Sequence, residues 1–273
     1  VVAKPAEQTP ASLARFAEIA TEAGLPPGVL NVVHGFGPDD VGAWMTNDAR
    51  VDRITFTGET NTARTIGQAA MRNLVPVSFE LGGKGANLVF EDADLDAAVD
   101  WSLKAIFTNA GQVCLAGSRL YVQRPVYEEF LARFVERADA MTCGNPMDAA
   151  TQIGPLASEE HFNKVASYLD LAPDEGAKIL CGGRGDGWIV RPTVLVDADP
   201  DGRVCREEIF GPVVVIAPFD TEEEGIAKAK AEGKYKGRAP TARRKAAGLR
   251  PPIQMGGPPF WQGRGRMVTS WIE

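Results

Sequence analysis

The sequence predicts an α/β protein, a parallel-sheet portion followed by a second α/β domain, and three observations carry that prediction. Short runs rich in Val, Ile, Thr and Phe, at residues 29–33, 53–57 and 77–80, alternate with helical stretches, which is the pattern of βαβ units. Gly58 and Gly82 stand at the carboxyl ends of two of these runs, and in such sheets ligands collect beyond the carboxyl ends of the strands. Beyond Cys114 the order changes to one strand, two helices and three strands. A second α/β domain therefore starts near Cys114.

Taken in order, residues 1–4 read as the end of a strand, and a helix follows to about Ala23 with Thr9 as N-cap and Pro10 at its first position. Gly24-Leu25-Pro26-Pro27-Gly28 stops that helix before the strand at 29–33. A short helix near 39–46, the strand at 53–57, a helix to about Asn73 and the strand at 77–80 complete the first portion. Residues 86–90 are a further strand, and 95–109 a helix whose Ala and Leu spacing suits burial on one side. The second domain reads as a strand at 119–123, helices at 125–141 and 158–171, and strands at 177–181, 189–196 and 213–219.

Composition narrows the function. With 273 residues and 44% hydrophobic content the chain can bury a sizeable core. No run approaches the ~18 apolar residues of a membrane span, and the first residues lack the pattern of a signal peptide. Cys114, Cys143, Cys181 and Cys205 are scattered and have only His34 and His161 as companions. We expect reduced thiols in a cytoplasmic protein and no metal site. Residues 1–227 carry 18 basic and 34 acidic side chains, and residues 228–273 carry 11 basic and 2 acidic. An acidic body offers no broad footprint for nucleic acid.

The chemistry-bearing stretch runs from Val77 to Cys114. Glu80 ends a strand, Leu81-Gly82-Gly83-Lys84 breaks it, and Gly111-Gln112-Val113-Cys114 comes one strand and one helix later. A thiol beside small residues and a strand-end carboxylate are parts that acyl-transfer chemistry can use, as nucleophile and general base. A buried small Cys and an ordinary strand-end Glu are the plainer reading of the same residues. A cysteine hydrolase would need a His partner, and His34 and His161 read as surface or loop residues that do not converge on Cys114.

Four motifs in order resemble the aldehyde dehydrogenase superfamily: Phe56-Thr57-Gly58, Phe79-Glu80-Leu81-Gly82-Gly83-Lys84, Gly111-Gln112-Val113-Cys114 and Glu207-Glu208-Ile209-Phe210-Gly211-Pro212-Val213. The likeness runs from Val1 to about Ile226. Phe56-Thr57-Gly58-Glu59-Thr60, Val33-His34-Gly35-Phe36-Gly37-Pro38 and Ser78-Phe79-Glu80 look most like the branch acting on hydroxymuconic semialdehydes. The resemblance implies a partial dinucleotide-binding domain at 1–113 and a catalytic domain at 114–226, incomplete at both ends. It also implies oxidation of a small-molecule aldehyde to a carboxylic acid with NAD, and a homo-oligomer at full length.

In that scheme Cys114 attacks as thiolate, and Glu80 activates the water that hydrolyses the thioester. Lys4 and Glu7 map to the adenosine ribose, Glu7 disfavouring NADP by like charge. Gly58 maps beside the pyrophosphate, with Thr57 and Leu81 in the same cofactor set. Glu59 stands where Ser is common elsewhere in the family, and its plainer reading is a favourable place at a helix N-terminus. Glu208 maps to the nicotinamide ribose and Phe210 to the ring.

Two departures stand out. The family's oxyanion-hole Asn lies upstream of the Lys4 motif, and losing such a donor costs roughly 10²–10³ in rate. Half a nucleotide-binding domain is also expected to expose apolar edges. After Ile226 the chain turns to Arg, Gly and Pro, from which we expect residues 227–273 to be out-of-frame sequence or a disordered basic arm. A non-catalytic fragment with a partial NAD site or an interaction surface is the alternative function.

Overall fold

The computed structural model describes residues 1–37 and 39–231 and the backbone of residues 267–269. These divide into two compact units, Val1–Gly82 and Gly83–Glu273.

The first unit holds β1 (Val2–Ala3), α1 (Ala11–Glu22), β2 (Asn31–Val32), α2 (Val41–Asn47), β3 (Ile54–Gly58), α3 (Thr60–Arg72) and β4 (Val77–Leu81). Its strands pair in parallel, as the sequence leads one to expect, and do so in two separate pairs, β1 with β2 and β3 with β4. Thr9 does not cap α1. The N-cap position falls to Pro10, which has no side-chain cap bond. α2 is capped by Asp40, whose carboxylate accepts the Val41 N–H. Burial is sparse, with Ile54, Ala63, Ala69 and Ala70 the buried apolar residues among the described residues, while Phe16, Ile19, Trp44, Met71 and Leu74 are exposed.

The second unit is organised by one mixed sheet. Its elements are β5 (Ala86–Val89), α4 (Leu95–Phe107), a 3-10 turn (Thr108–Gly111), β6 (Arg119–Gln123), α5 (Arg124–Asp139), α6 (Glu159–Leu171), a second 3-10 turn (Ala172–Glu175), β7 (Lys178–Arg184), β8 (Val190–Val196), α7 (Arg203–Arg206), β9 (Val213–Phe219), α8 (Glu222–Lys230) and β10 (Met267–Thr269). The strand order is β10-β5-β6-β9-β8-β7. β5, β6, β9 and β8 run parallel, and β7 and β10 close the two edges antiparallel.

The division between units falls at Gly82, not at 113, because β5 pairs with β6 and so belongs to the second sheet. Likewise α8 runs across the expected boundary at 226, with Thr221 accepting the Glu224 N–H, acidic residues in its first turn and Lys228 and Lys230 in its last. Such charges complement the helix dipole. The strand at 267–269 pairs with β5, so this short piece of the expected irregular tail is regular. The rest of that tail, residues 232–266 and 270–273, lies outside the described residues.

Local sequence explains the second unit's helices. Asp94 caps α4, Pro125 sits in the first turn of α5, and Ser158 caps α6 by accepting the His161 N–H. Their inward residues meet the sheet. Phe107 and Phe130 pack on Phe134 at centroid distances of 6.0 and 5.8 Å, with Val99, Ile106, Leu120, Val122, Leu195 and Ile216 buried in the same cluster. Buried Arg119 donates to the carbonyls of Lys84 (3.0 Å), Lys228 (3.2 Å) and Ala229 (3.2 Å), joining the start of β5 to the end of α8. Those last two carbonyls are among the groups a helix leaves unpaired at its C-terminus.

Candidate active site

The expected site residues fall in both units. In the first unit the β3–β4 register sets Thr57 beside Glu80 and Gly58 beside Leu81. Four expected residues thus share the carboxyl ends of one parallel pair, where such folds offer backbone groups to ligands. Glu80 is exposed there. Glu59 is the N-cap residue of α3, yet its carboxylate accepts from the Asn61 side-chain amide at 3.2 Å and makes no cap bond to the helix backbone.

Lys4 and Glu7 are paired. The Lys4 ammonium donates to Glu7 Oε1 at 2.9 Å, to the Pro5 carbonyl at 3.0 Å and to the Gly35 carbonyl at 3.4 Å. The Lys4 hydrogen bond, with backbone N–H groups of Glu7 and Gly37, holds the Glu7 carboxyl below its ordinary range. Glu7 is therefore ionised at neutral pH and can only accept hydrogen bonds.

In the second unit Cys114 is exposed and follows a left-handed run. Asn109, Ala110 and Gly111 have φ of 53°, 54° and 71°, so the helix expected to reach Asn109 ends at Phe107. Two of these are non-glycine residues, and backbone strain of this kind collects at functional sites. Side chains lock the turn. The Gln112 amide donates to the Asn109 carbonyl at 3.1 Å, the Asn109 amide donates to the Gln112 carbonyl at 3.2 Å, and Gln112 Oε1 accepts the Ala157 N–H at 2.9 Å. Gly111 is required twice over: its φ is left-handed, and a Cβ there would collide with the Gly211 carbonyl.

That approach brings the Cys114 loop against the Glu208 segment. Gly83, Gly111, Val113, Glu208, Phe210 and Gly211 line one small depression. Glu208 accepts the Gly83 N–H at 3.1 Å. Its neighbour Glu207 is turned to structure, accepting from the Tyr168 hydroxyl at 2.7 Å and from Arg203 at 3.1 Å. Burial and Glu207 together push the Tyr168 hydroxyl up to about 12. Phe210 holds a left-handed φ of 60°, and His161 Nε2 lies 2.6 Å from its carbonyl.

Three residues stand out here that sequence reasoning passes over. His161, expected at the surface or in a loop, is half-buried in the first turn of α6. Gln112 enters the sequence argument only as part of a motif. Lys84 is buried, and its ammonium has no hydrogen-bond partner among the described residues. Desolvation lowers its pKa to about 7, Arg119 adding to the effect while Cys205, Glu208 and Glu207 oppose it. The cap at Ser158 is legible in the sequence and puts His161 on a helix, but its partner lies 49 positions along the chain.

Comparison with known proteins agrees with these motifs. The profile of the aldehyde dehydrogenase family matches residues 1–233, and the chain belongs to that family. A 2-hydroxymuconic semialdehyde dehydrogenase of Pseudomonas sp. (strain CF600) is 48% identical over 235 residues, covering 83% of this chain and 48% of the relative. Retinal dehydrogenase 2 of Gallus gallus is 46% identical over 233 residues, covering 84% and 45%. An NAD+ complex of aldehyde dehydrogenase from Bacillus cereus superposes with a TM-score of 0.82 at 41% identity, covering 85% of this chain and 48% of that one. The chain spans about half the length of the relatives it matches.

Proposed function

We propose that the chain carries the reacting groups of an NAD-dependent aldehyde dehydrogenase that oxidises a semialdehyde of hydroxymuconic type to its acid. The observation that carries this reading is the exposed Cys114 on a strained loop packed against the Phe210–Gly211 turn, in a chain of the aldehyde dehydrogenase family. The 48% identity to a 2-hydroxymuconic semialdehyde dehydrogenase supports the substrate class. We assign the Val1–Gly82 unit to part of the cofactor domain and the second unit to catalysis.

The donor set suits NAD. Ionised Glu7, with Lys4 beside it, offers acceptors to the adenosine ribose hydroxyls and repels a 2′-phosphate. Thr57, Gly58, Glu59 and Leu81 are assigned to the pyrophosphate end, Glu208 to the nicotinamide ribose and Phe210 to the ring. NAD, when bound, supplies the hydride acceptor.

The chain's own residues do the rest. The Cys114 thiolate forms a carbon–sulfur bond to the aldehyde carbonyl, which becomes a thioester once hydride has left. Glu80 takes a proton from water, hydroxide adds to the thioester, and the acid departs as Cys114 is released.

Purified chain with NAD and 2-hydroxymuconic semialdehyde tests the reading. Appearance of NADH absorbance, lost in Cys114→Ala, is the expected result. A second reading, a non-catalytic fragment with a partial NAD site or an interaction surface, is favoured by the exposed apolar side chains Phe16, Trp44 and Met71 of the first unit, which suit an interaction surface. Binding with no NADH formed would favour it over the first.

A further inference from the structure

His161 has a place in the second unit that its sequence position does not suggest. Its backbone N–H is held by the Ser158 hydroxyl at 3.2 Å, so its own position is fixed by the helix cap. Its ring reaches Phe210 in two ways. Nε2 sits 2.6 Å from the Phe210 carbonyl oxygen, and because a carbonyl only accepts, that nitrogen carries the proton. The imidazole also packs edge-on against the phenyl ring, with centroids 5.7 Å apart at 69°. Phe210 needs such a hold, since a left-handed φ of 60° is a sparsely populated state for a residue with a bulky side chain.

The same stretch of chain anchors the nucleophile's loop. Ala157, just before the α6 cap, donates its N–H to the Gln112 side chain at 2.9 Å. One short segment thus fixes both the turn before Cys114 and the residue expected to face the nicotinamide ring. We propose that His161 is a positioning residue for the reaction, setting through Phe210 where the nicotinamide ring lies relative to Cys114. This rests on the cofactor reading above.

The test uses the full chain and two substitutions. His161→Leu keeps bulk and removes the donor, and His161→Gln returns a side-chain N–H that can reach a carbonyl. Hydrogen exchange of residues 207–213, NAD affinity by fluorescence titration, and kcat and KM for the aldehyde are measured. In His161→Leu the segment exchanges faster and NAD binds roughly 5- to 10-fold more weakly, as expected for one lost hydrogen bond at a strained site. The defect falls on kcat and on NAD more than on aldehyde KM, and His161→Gln recovers most of it. In a Phe210→Ala background His161→Leu adds less than about twofold, because residues acting through one another are not additive.

Unchanged exchange and unchanged NAD affinity in His161→Leu overturn the positioning role alone. So does an equal loss in the Phe210→Ala background. A wild-type chain that binds no NAD overturns the cofactor reading and this inference together.

Discussion

The two units carry the same kind of local pattern and end in opposite packing. Both alternate apolar strands with amphipathic helices, but the second buries three packed phenylalanines beneath a six-stranded sheet, while the first leaves Phe16, Ile19, Trp44 and Met71 in solvent over two-stranded pairs. Periodicity says which face of an element is apolar. It does not say how many strands will share a sheet, and sheet width decides whether that face is covered.

The contrast is tested most sharply at the two proposed reacting groups, one in each unit. Cys114→Ala, in the well-packed unit, is expected to lower turnover by on the order of 10⁴-fold or more, since no other group takes over a missing nucleophile. Glu80→Gln, in the sparse unit, should leave acylation and slow hydrolysis by roughly 10²–10⁴-fold. Rapid mixing would then show a burst of one NADH per chain followed by a slow phase. No burst in Glu80→Gln, with a uniformly reduced rate, would move that carboxylate to an earlier step.

Stability should separate the units as clearly. Phe134→Ala removes a fully buried ring and is expected to destabilise the second unit by about 3–5 kcal/mol. Phe16→Ala truncates an exposed ring and should change stability by less than about 0.5 kcal/mol. Urea denaturation of both variants checks the pair. A large loss in Phe16→Ala would mean that the first unit's apolar side chains are covered in solution.

Legibility in the sequence divides between local and distant signals. β6 and β9 are legible to the residue, and the other elements between β1 and β9 to within a few positions, except α7 and the two 3-10 turns, because their signals are local: caps, proline at a helix start, glycine at strand ends. The motif at Glu207 to Val213 was legible too, but not the use of its two carboxylates, since Tyr168 and Arg203 claim Glu207 only once α6 and α7 are folded. The left-handed run before Cys114 has one glycine to announce it and two residues that do not. Long-range partners, His161 with Phe210 and Arg119 with α8, leave no mark in sequence spacing.

Ionisable groups make both units more stable as pH rises, in different windows, and the larger effect belongs to Lys84. Its folded pKa is lowered from 10.5 to about 7 by burial, so between those values the unfolded chain binds more protons and stability rises with pH. Below about pH 7 both states are protonated and the cost stays constant. Lys84→Met should remove that slope and stabilise the second unit at pH 7 by a few kcal/mol, roughly the shift converted at 1.36 kcal/mol per unit. Denaturation midpoints from pH 7 to 10 that rise in both wild type and variant would assign the slope to another group.

The smallest effect is expected at Glu7 in the first unit. Its carboxyl is held low chiefly by the Lys4 hydrogen bond, so its contribution to stability is present above the ordinary carboxylate pKa and fades as pH falls through the lowered value. The pair is partly exposed, and such pairs contribute about 0–1 kcal/mol. Glu7→Gln should therefore leave melting almost unchanged at pH 7 while altering cofactor choice. With the like charge gone, NADP binding should strengthen relative to NAD by several-fold, since an uncharged amide no longer opposes the 2′-phosphate. Equal preference for NAD in wild type and Glu7→Gln would place the discriminating charge elsewhere in the unit, and Lys4, whose ammonium would then be released from its partner, is the first residue to substitute next.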